Sequence, residues 1–182
     1  AAEKKIILGV GAVWDMRKGL KDFYELSRLL PNDEYAIIIV GRVPKDINYS
    51  EGNCKITFIE RTQDVTELAK IYSAADVFVN PTYQDNFPTT NIEALACGTP
   101  VITYSTGGSP EAVDERTGFV VPTGDVNSLV NAIIKVNKCE ETINQCRIRA
   151  EILFDNEKKK KKYLELYNEI LADKLSVVND SN

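Results

Sequence analysis

Asp76–Pro81 reads DVFVNP, Tyr83–Glu111 reads YQDNFPTTNIEALACGTPVITYSTGGSPE, and Gly118–Pro122 reads GFVVP. The first and last are short continuous apolar runs, and Val101 to Tyr104 (VITY) is another. Runs of that length and β-branched content suit strands buried on both faces. Between the first two strands a helix is expected from about Pro88 to Cys97, because proline suits a first helical position and Gly98 a C-cap.

The same alternation extends to both sides. Lys5–Val13 (KIILGVGAV) reads as a strand. Lys18 to Leu30 then places Leu20, Phe23, Leu26, Leu29 and Leu30 on one helical face, and Pro31 stops it. Glu34–Gly41 and Lys55–Glu60 are further strands, separated by a Pro-, Asn- and Gly-rich loop from Arg42 to Asn53. Asp64 opens a capping box with Glu67, ahead of Val65, Leu68, Ile71, Tyr72 and Ala75 at helical spacing. Beyond Pro122, Asp125 caps a helix to about Asn137, and two further helices fill the tail. The expected fold class is α/β, a single Rossmann-like, doubly wound parallel sheet. Ligands bind such sheets beyond the carboxyl ends of the strands.

A chain of 182 residues can bury one sizeable core. Its net charge of −5 argues against a nucleic-acid surface built on bulk positive potential. No apolar run reaches membrane-spanning length and Ala1 to Lys5 has no feature of a signal peptide, so a cytoplasmic setting is expected. Cys54, Cys97, Cys139 and Cys146 show no CxxC spacing and are read as reduced and structural. Without histidine the chain lacks the commonest metal ligand and the commonest general base, which disfavours zinc hydrolysis and Ser-His chemistry.

Four strand-end segments can converge on one crevice: Gly11 to Gly19, Glu60 to Asp64, Asn80 to Glu93 and Ser105 to Glu111. In the first, Arg17 and Lys18 stand at a strand-to-helix junction, where two cations suit a diphosphate or simply decorate a solvated turn. Gly9-Val10-Gly11 is a weak dinucleotide signal, since Trp14 takes the place of the third glycine and Gly41-Arg42 offers no acid for a ribose. In the third segment, the amides of Thr89 and Thr90 are orphan donors at a helix start and Glu93 suits a vicinal diol. Thr90 to Glu93 fits a capping box equally well, and Asp85 a turn acid. Gly107 and Gly108 allow close backbone approach or an ordinary turn. Lys158 to Lys162 covers more than a helical turn and reads as a solvated helix, with contact to an anionic membrane face as the minority reading.

The motifs from Asn80 to Val113 and Thr117 to Asp125, preceded by GAVWDMRKGL (11–20) and YSAADVFV (72–79), resemble the C-terminal, donor-binding domain of retaining GT-B nucleotide-sugar glycosyltransferases. The resemblance runs from about Lys5 to Val136, with an echo in KKYLELYNEIL (161–171). It implies that Asp85, where the family usually has glutamate, binds a donor-sugar hydroxyl and that Glu93 binds the ribose hydroxyls. The amides from Asn86 through Phe87 to Thr89 and Thr90 would contact sugar and phosphate, with Pro88 in a place where glycine is common. Lys18 matches the family's diphosphate lysine; Ala12 or Val13 falls where an arginine is usual, so Arg17 is at best a substitute. Glu60, Arg61 and Thr62 follow the strand whose end holds the nucleotide base.

The resemblance further implies a partition of the chain into a donor-binding domain, residues 1–155, and a C-terminal helix and tail, residues 156–182. That helix, Asn156 to Ala172, would cross back to an N-terminal acceptor domain. The chain is thus expected to be the C-terminal half of a metal-independent, cofactor-free enzyme and inactive alone. The whole enzyme would transfer sugar from a nucleotide-diphosphate donor to a saccharide or lipid-linked acceptor in cell-surface polysaccharide biosynthesis, capsular or lipopolysaccharide. A GT-B epimerase or phosphorylase relative, or a non-catalytic nucleotide-binding module, is the alternative.

Overall fold

The computed structural model describes residues 4–44, 49–50 and 52–179. Six strands form one parallel sheet: β1 (Lys5–Val13), β2 (Tyr35–Arg42), β3 (Ile56–Ile59), β4 (Val77–Asn80), β5 (Val101–Tyr104) and β6 (Gly118–Val121). The helices are α1 (Leu20–Leu29), α2 (Val65–Ala74), α3 (Thr89–Ala96), α4 (Val126–Lys135), α5 (Glu140–Phe154) and α6 (Asn156–Asn179), with a 3-10 turn at Ser109–Ala112. The strand order is β3-β2-β1-β4-β5-β6, the doubly wound order the alternating pattern implies. Part of the loop expected between Arg42 and Asn53 (residues 45–48 and 51) lies outside the described residues.

The sheet serves two cores because successive side chains of a strand point to opposite faces. Ile7, Val77 and Val79 join Leu20, Phe23, Leu26, Leu129 and Ile133 on the face covered by α1 and α4. Leu8, Phe78 and Val101 join Tyr72, Ala94, Leu95, Cys146 and Ala150 on the face covered by α2, α3 and α5. Leu29 departs from the expected apolar stripe and is half exposed. At about 100° per residue it falls roughly 60° beyond Leu26, the edge of the arc formed by Leu20, Phe23, Leu26 and Leu30. Trp14, where a dinucleotide motif would have glycine, is instead a core residue: its Nε1 donates to Val40 O at 2.9 Å and its ring meets Phe23 edge-on.

The sheet reverses its winding between β1 and β4, which is where such folds hold ligands. Here β1 pairs with β2 out to Val13↔Arg42 but with β4 only at Ile7↔Val77 and Leu8↔Phe78. The carboxyl end of β1 therefore stands clear of β4 and opens a crevice. Asn156 to Leu171 of α6 are exposed along their whole length. Among the described residues no helix is long and apolar enough to cross a membrane.

Candidate functional site

Two hollows open at the carboxyl edge of the sheet; α3 contributes Thr90 and Glu93 to one, and the segment between β4 and α3 lines the other. The larger, about 950 Å³, lies over the ends of β1, β2 and β3; Ala12, Arg42, Arg61, Thr62, Thr90 and Glu93 are among its lining. The smaller, about 630 Å³, is lined by Arg17, Lys18, Tyr83, Gln84, Asp85, Asn86 and Thr106. Asp85 and Glu93 thus stand in different hollows, one on each side of the start of α3.

The second hollow is built by close approach of two loops. Gly19 has φ of 73°, and a Cβ there would lie 2.1 Å from Pro81 O, so only glycine lets the turn after β1 press on the end of β4. Tyr83 N donates to Arg17 O at 2.7 Å and Thr82 Oγ1 to the same carbonyl at 3.1 Å. That seam brings Lys18 Nζ to 2.7 Å from Asp85 Oδ2. Arg17 reaches the hollow too, but both Nε and Nη2 donate to Asp15 Oδ2, at 3.2 Å each. Below, Asp22 is buried in α1 and accepts from Tyr104 Oη at 2.8 Å and Tyr83 Oη at 3.1 Å. Burial pushes the Asp22 carboxyl up despite these bonds. Burial and the Asp22 contact together hold the Tyr83 phenol up at about 12, so it remains a donor.

The glycines of Ser105 to Glu111 make close approaches to the chain itself. Gly107 has φ of 51°, and a Cβ there would meet Asp85 O at 1.9 Å; Gly108 N donates to Asn86 O at 2.8 Å. The loop carrying Asp85 is thereby backed by the loop after β5. The Phe87 ring takes no place in either hollow's lining and packs on Phe154 of α5, with centroids 5.8 Å apart.

Pro88 is the N-cap of α3, one place earlier than the sequence pattern suggests, with β-region backbone and no side-chain cap bond. Its ring has no hydroxyl or carboxylate to offer, so the amides of Thr89 and Thr90 have no acceptor among the described residues and are available to a ligand. Glu93 does not close a capping box with Thr90. Its Oε2 accepts from Tyr72 Oη at 3.0 Å instead. The Asp64 cap does form, with Oδ1 accepting from Glu67 N at 2.8 Å, while Glu67 Oε2 turns back to Gln63 N.

Two residues here escape a reading of the sequence. Arg42 sits beside Val13 in the β1–β2 register and lines the larger hollow with Ala12, where the resemblance places an arginine that this chain lacks. It makes no ion pair among the described residues. The strand-end position of Arg42 is visible in sequence, but that position draws attention only as the place for a ribose acid. Tyr72, spaced as a core residue, is core and also touches Glu93. Among the described residues no cluster of three or more His, Cys, Asp or Glu side chains is placed to hold a metal ion.

The arrangement offers cations, helix-start amides and two carboxylates along one edge, a set suited to a ligand that is anionic in one part and rich in hydroxyls in others. Comparison with known proteins identifies the family. A family model described as glycosyl transferases group 1 matches residues 4–138. The chain superposes on sucrose-phosphate synthase from Thermosynechococcus elongatus with a TM-score of 0.79 and 31% identity, covering 94% of this chain and 46% of that one. It superposes on Anabaena HepE, solved in complex with UDP, with a TM-score of 0.73 and 17% identity, covering 91% and 49%. In sequence it is 24% identical to an N,N'-diacetylbacillosaminyl-diphospho-undecaprenol alpha-1,3-N-acetylgalactosaminyltransferase of Campylobacter jejuni, over 94% of this chain and 46% of that protein. The chain spans about half the length of these three proteins, or slightly less. It belongs to the glycosyl transferases group 1 family, and its fold is that of the C-terminal domain of a GT-B glycosyltransferase.

Proposed function

We propose that this chain binds the donor in an enzyme that transfers a sugar from a nucleotide-diphosphate sugar to a saccharide or lipid-linked acceptor, with retention and without a metal, in cell-surface polysaccharide synthesis. The observation that carries the reading is the placement of the two carboxylates: Asp85 with Lys18 in one hollow, Glu93 with Arg42 and Arg61 in the other. A donor laid across the start of α3 would put its ribose diol on Glu93 and its base over Arg61 and Thr62. Its diphosphate would lie between Lys18 and the Thr89 and Thr90 amides, and its sugar against Asp85 and Asn86. UDP in the HepE complex supports a nucleotide as the ligand class.

In this reading the chemistry is electrostatic. As the anomeric carbon gains positive character, negative charge grows on the departing diphosphate, and fixed donors already aimed at it stabilise that state without reorganising. Lys18 and the helix-start amides supply those donors. Asp85 and Glu93 position hydroxyls, and the leaving phosphate assists the acceptor proton. Asn156 to Ala172 would cross to the acceptor domain, and Lys158 to Lys162 would meet an anionic membrane face.

Titration of UDP, GDP and ADP into the chain, followed by two-dimensional NMR beside Glu93→Ala, tests this reading. Half of a site is expected to bind near millimolar, about −4 kcal/mol. Shifts clustered at Lys18, Arg61, Thr89 and Glu93 for one nucleotide, lost in the variant, are the expected result. Silence from all three to several millimolar, or shifts unaffected by the substitution, would sink it.

A further inference from the structure

Glu93 lies in the first turns of α3 on an exposed face, where a carboxylate on three rotatable bonds would ordinarily sweep through many rotamers. One of its oxygens is tied. Tyr72 Oη, from the far end of α2, donates to Oε2 at 3.0 Å, whereas Oε1 has no donor among the described residues.

The donor is itself immobile. Tyr72 is 1% exposed, and its ring meets Phe78 of β4 edge-on, with centroids 5.5 Å apart. Its carbonyl accepts from Thr99 Oγ1 at 2.6 Å, and Lys138 Nζ bonds the neighbouring Ser73 and Ala75 carbonyls at 2.6 and 2.7 Å, pinning the end of α2. Burial, with the adjacent Glu93 charge, pushes the Tyr72 phenol far above its ordinary value, so it stays protonated and donating. A bond to a charged acceptor is also stronger than one between neutral groups.

We propose that Tyr72 is a positioning residue of the larger hollow: its buried hydroxyl holds Glu93 Oε2 so that Oε1 is presented to a vicinal diol of the ligand. The proposal rests on the donor reading above and adds the means by which the ribose is selected. The tie removes the rotamer entropy of Glu93 before the ligand arrives, so the affinity gained from the diol is not spent on ordering the side chain. A tyrosine merely satisfying its own hydroxyl would leave the ligand's sugar unread.

The test uses the chain and its Tyr72→Phe, Glu93→Gln and double variants, with UDP, GDP, ADP and the 2′,3′-dideoxy form of each as probes. Phenylalanine keeps the ring against Phe78, and a dispersed NMR spectrum verifies the fold. Tyr72→Phe is expected to weaken the preferred ribonucleotide roughly three- to tenfold. It should leave the dideoxy analogue unchanged, and the double variant should bind no worse than Glu93→Gln. Equal weakening of ribo and dideoxy forms, or unchanged binding in Tyr72→Phe beside a weakened Glu93→Gln, overturns the positioning role while the donor reading stands. If Glu93→Gln itself binds as the parent does, or no probe binds the parent at several millimolar, the donor reading falls and the proposal with it.

Discussion

Lys18 Nζ and Asp85 Oδ2 form an ion pair at 2.7 Å across the seam between the β1 and β4 loops, 67 positions apart in sequence. Both side chains keep partial contact with water, at 28% and 20% exposure, so the pair is available to be opened. In the proposed donor complex the same lysine serves a diphosphate and the same carboxylate a sugar hydroxyl. The pair then acts as a placeholder for the two ends of the leaving bond.

Its removal should therefore be felt in binding more than in folding. A partly exposed pair contributes about 1 kcal/mol or less to stability. Lys18→Met should weaken every nucleoside diphosphate about tenfold or more, since a charged hydrogen bond is lost. Asp85→Asn should strengthen binding of the nucleoside diphosphate, because Lys18 is freed, while weakening the intact nucleotide-sugar. Calorimetric titration of both ligands checks the crossover; parallel changes for the two would refute the division of roles.

Arg42 should matter more than Arg17. The former lines the hollow without an acidic partner among the described residues, whereas the latter is held by Asp15 at 3.2 Å and is 60% exposed. Arg42→Ala is expected to cost roughly tenfold in nucleoside diphosphate affinity, with a shallower salt dependence. Arg17→Ala should change affinity less than about threefold, consistent with an exposed ion pair that is worth little. The reverse order of effects would return the second cation to the turn after β1.

Asp22 gives a pH dependence whose sign is fixed by its environment. Burial raises its carboxyl in the folded chain, above the ordinary 3.8 it regains on unfolding. For an acid shifted in that direction, the contribution to stability is complete below 3.8 and is lost as pH climbs through the raised folded value. Asp22→Asn, which cannot ionise, should therefore gain on the parent as pH rises from 3.8 toward neutrality and hold a constant difference below that. Urea midpoints of both proteins across this range are the measurement. A gain toward acid instead would mean that the two tyrosine bonds outweigh burial.

The course of the sheet was legible because each strand is a short apolar run and each crossover carries its own signals, such as the Asp64 cap before α2 and Gly98 after α3. The alternation implies a parallel sheet with right-handed crossovers, while the reversal of winding between β1 and β4 is seen only in the structure. Boundaries were less so: Pro88 reads as a first helical residue yet caps α3, since its ring fixes φ while leaving ψ free to be extended. At the site, Lys18, Asp85 and Glu93 were visible as charges near strand ends. Tyr72 on Glu93 was not, because that contact exists only when α2 and α3 pack side by side on one face of the sheet. Arg42 escapes for a related reason: its neighbour Val13 is set by strand register and not by nearness in the chain.

The contact of Gly107 with the carbonyl of Asp85 bears on how such a domain diversifies. Because the two backbones touch with no side chain between them, residues added to either loop displace the other. A change of sugar preference reached by insertion would then require matched changes after β4 and after β5, whereas point substitution at Asp85, Asn86 or Thr106 leaves the seam intact. Divergence at this edge of the sheet should proceed by exchange of side chains, with the two loops keeping a common length.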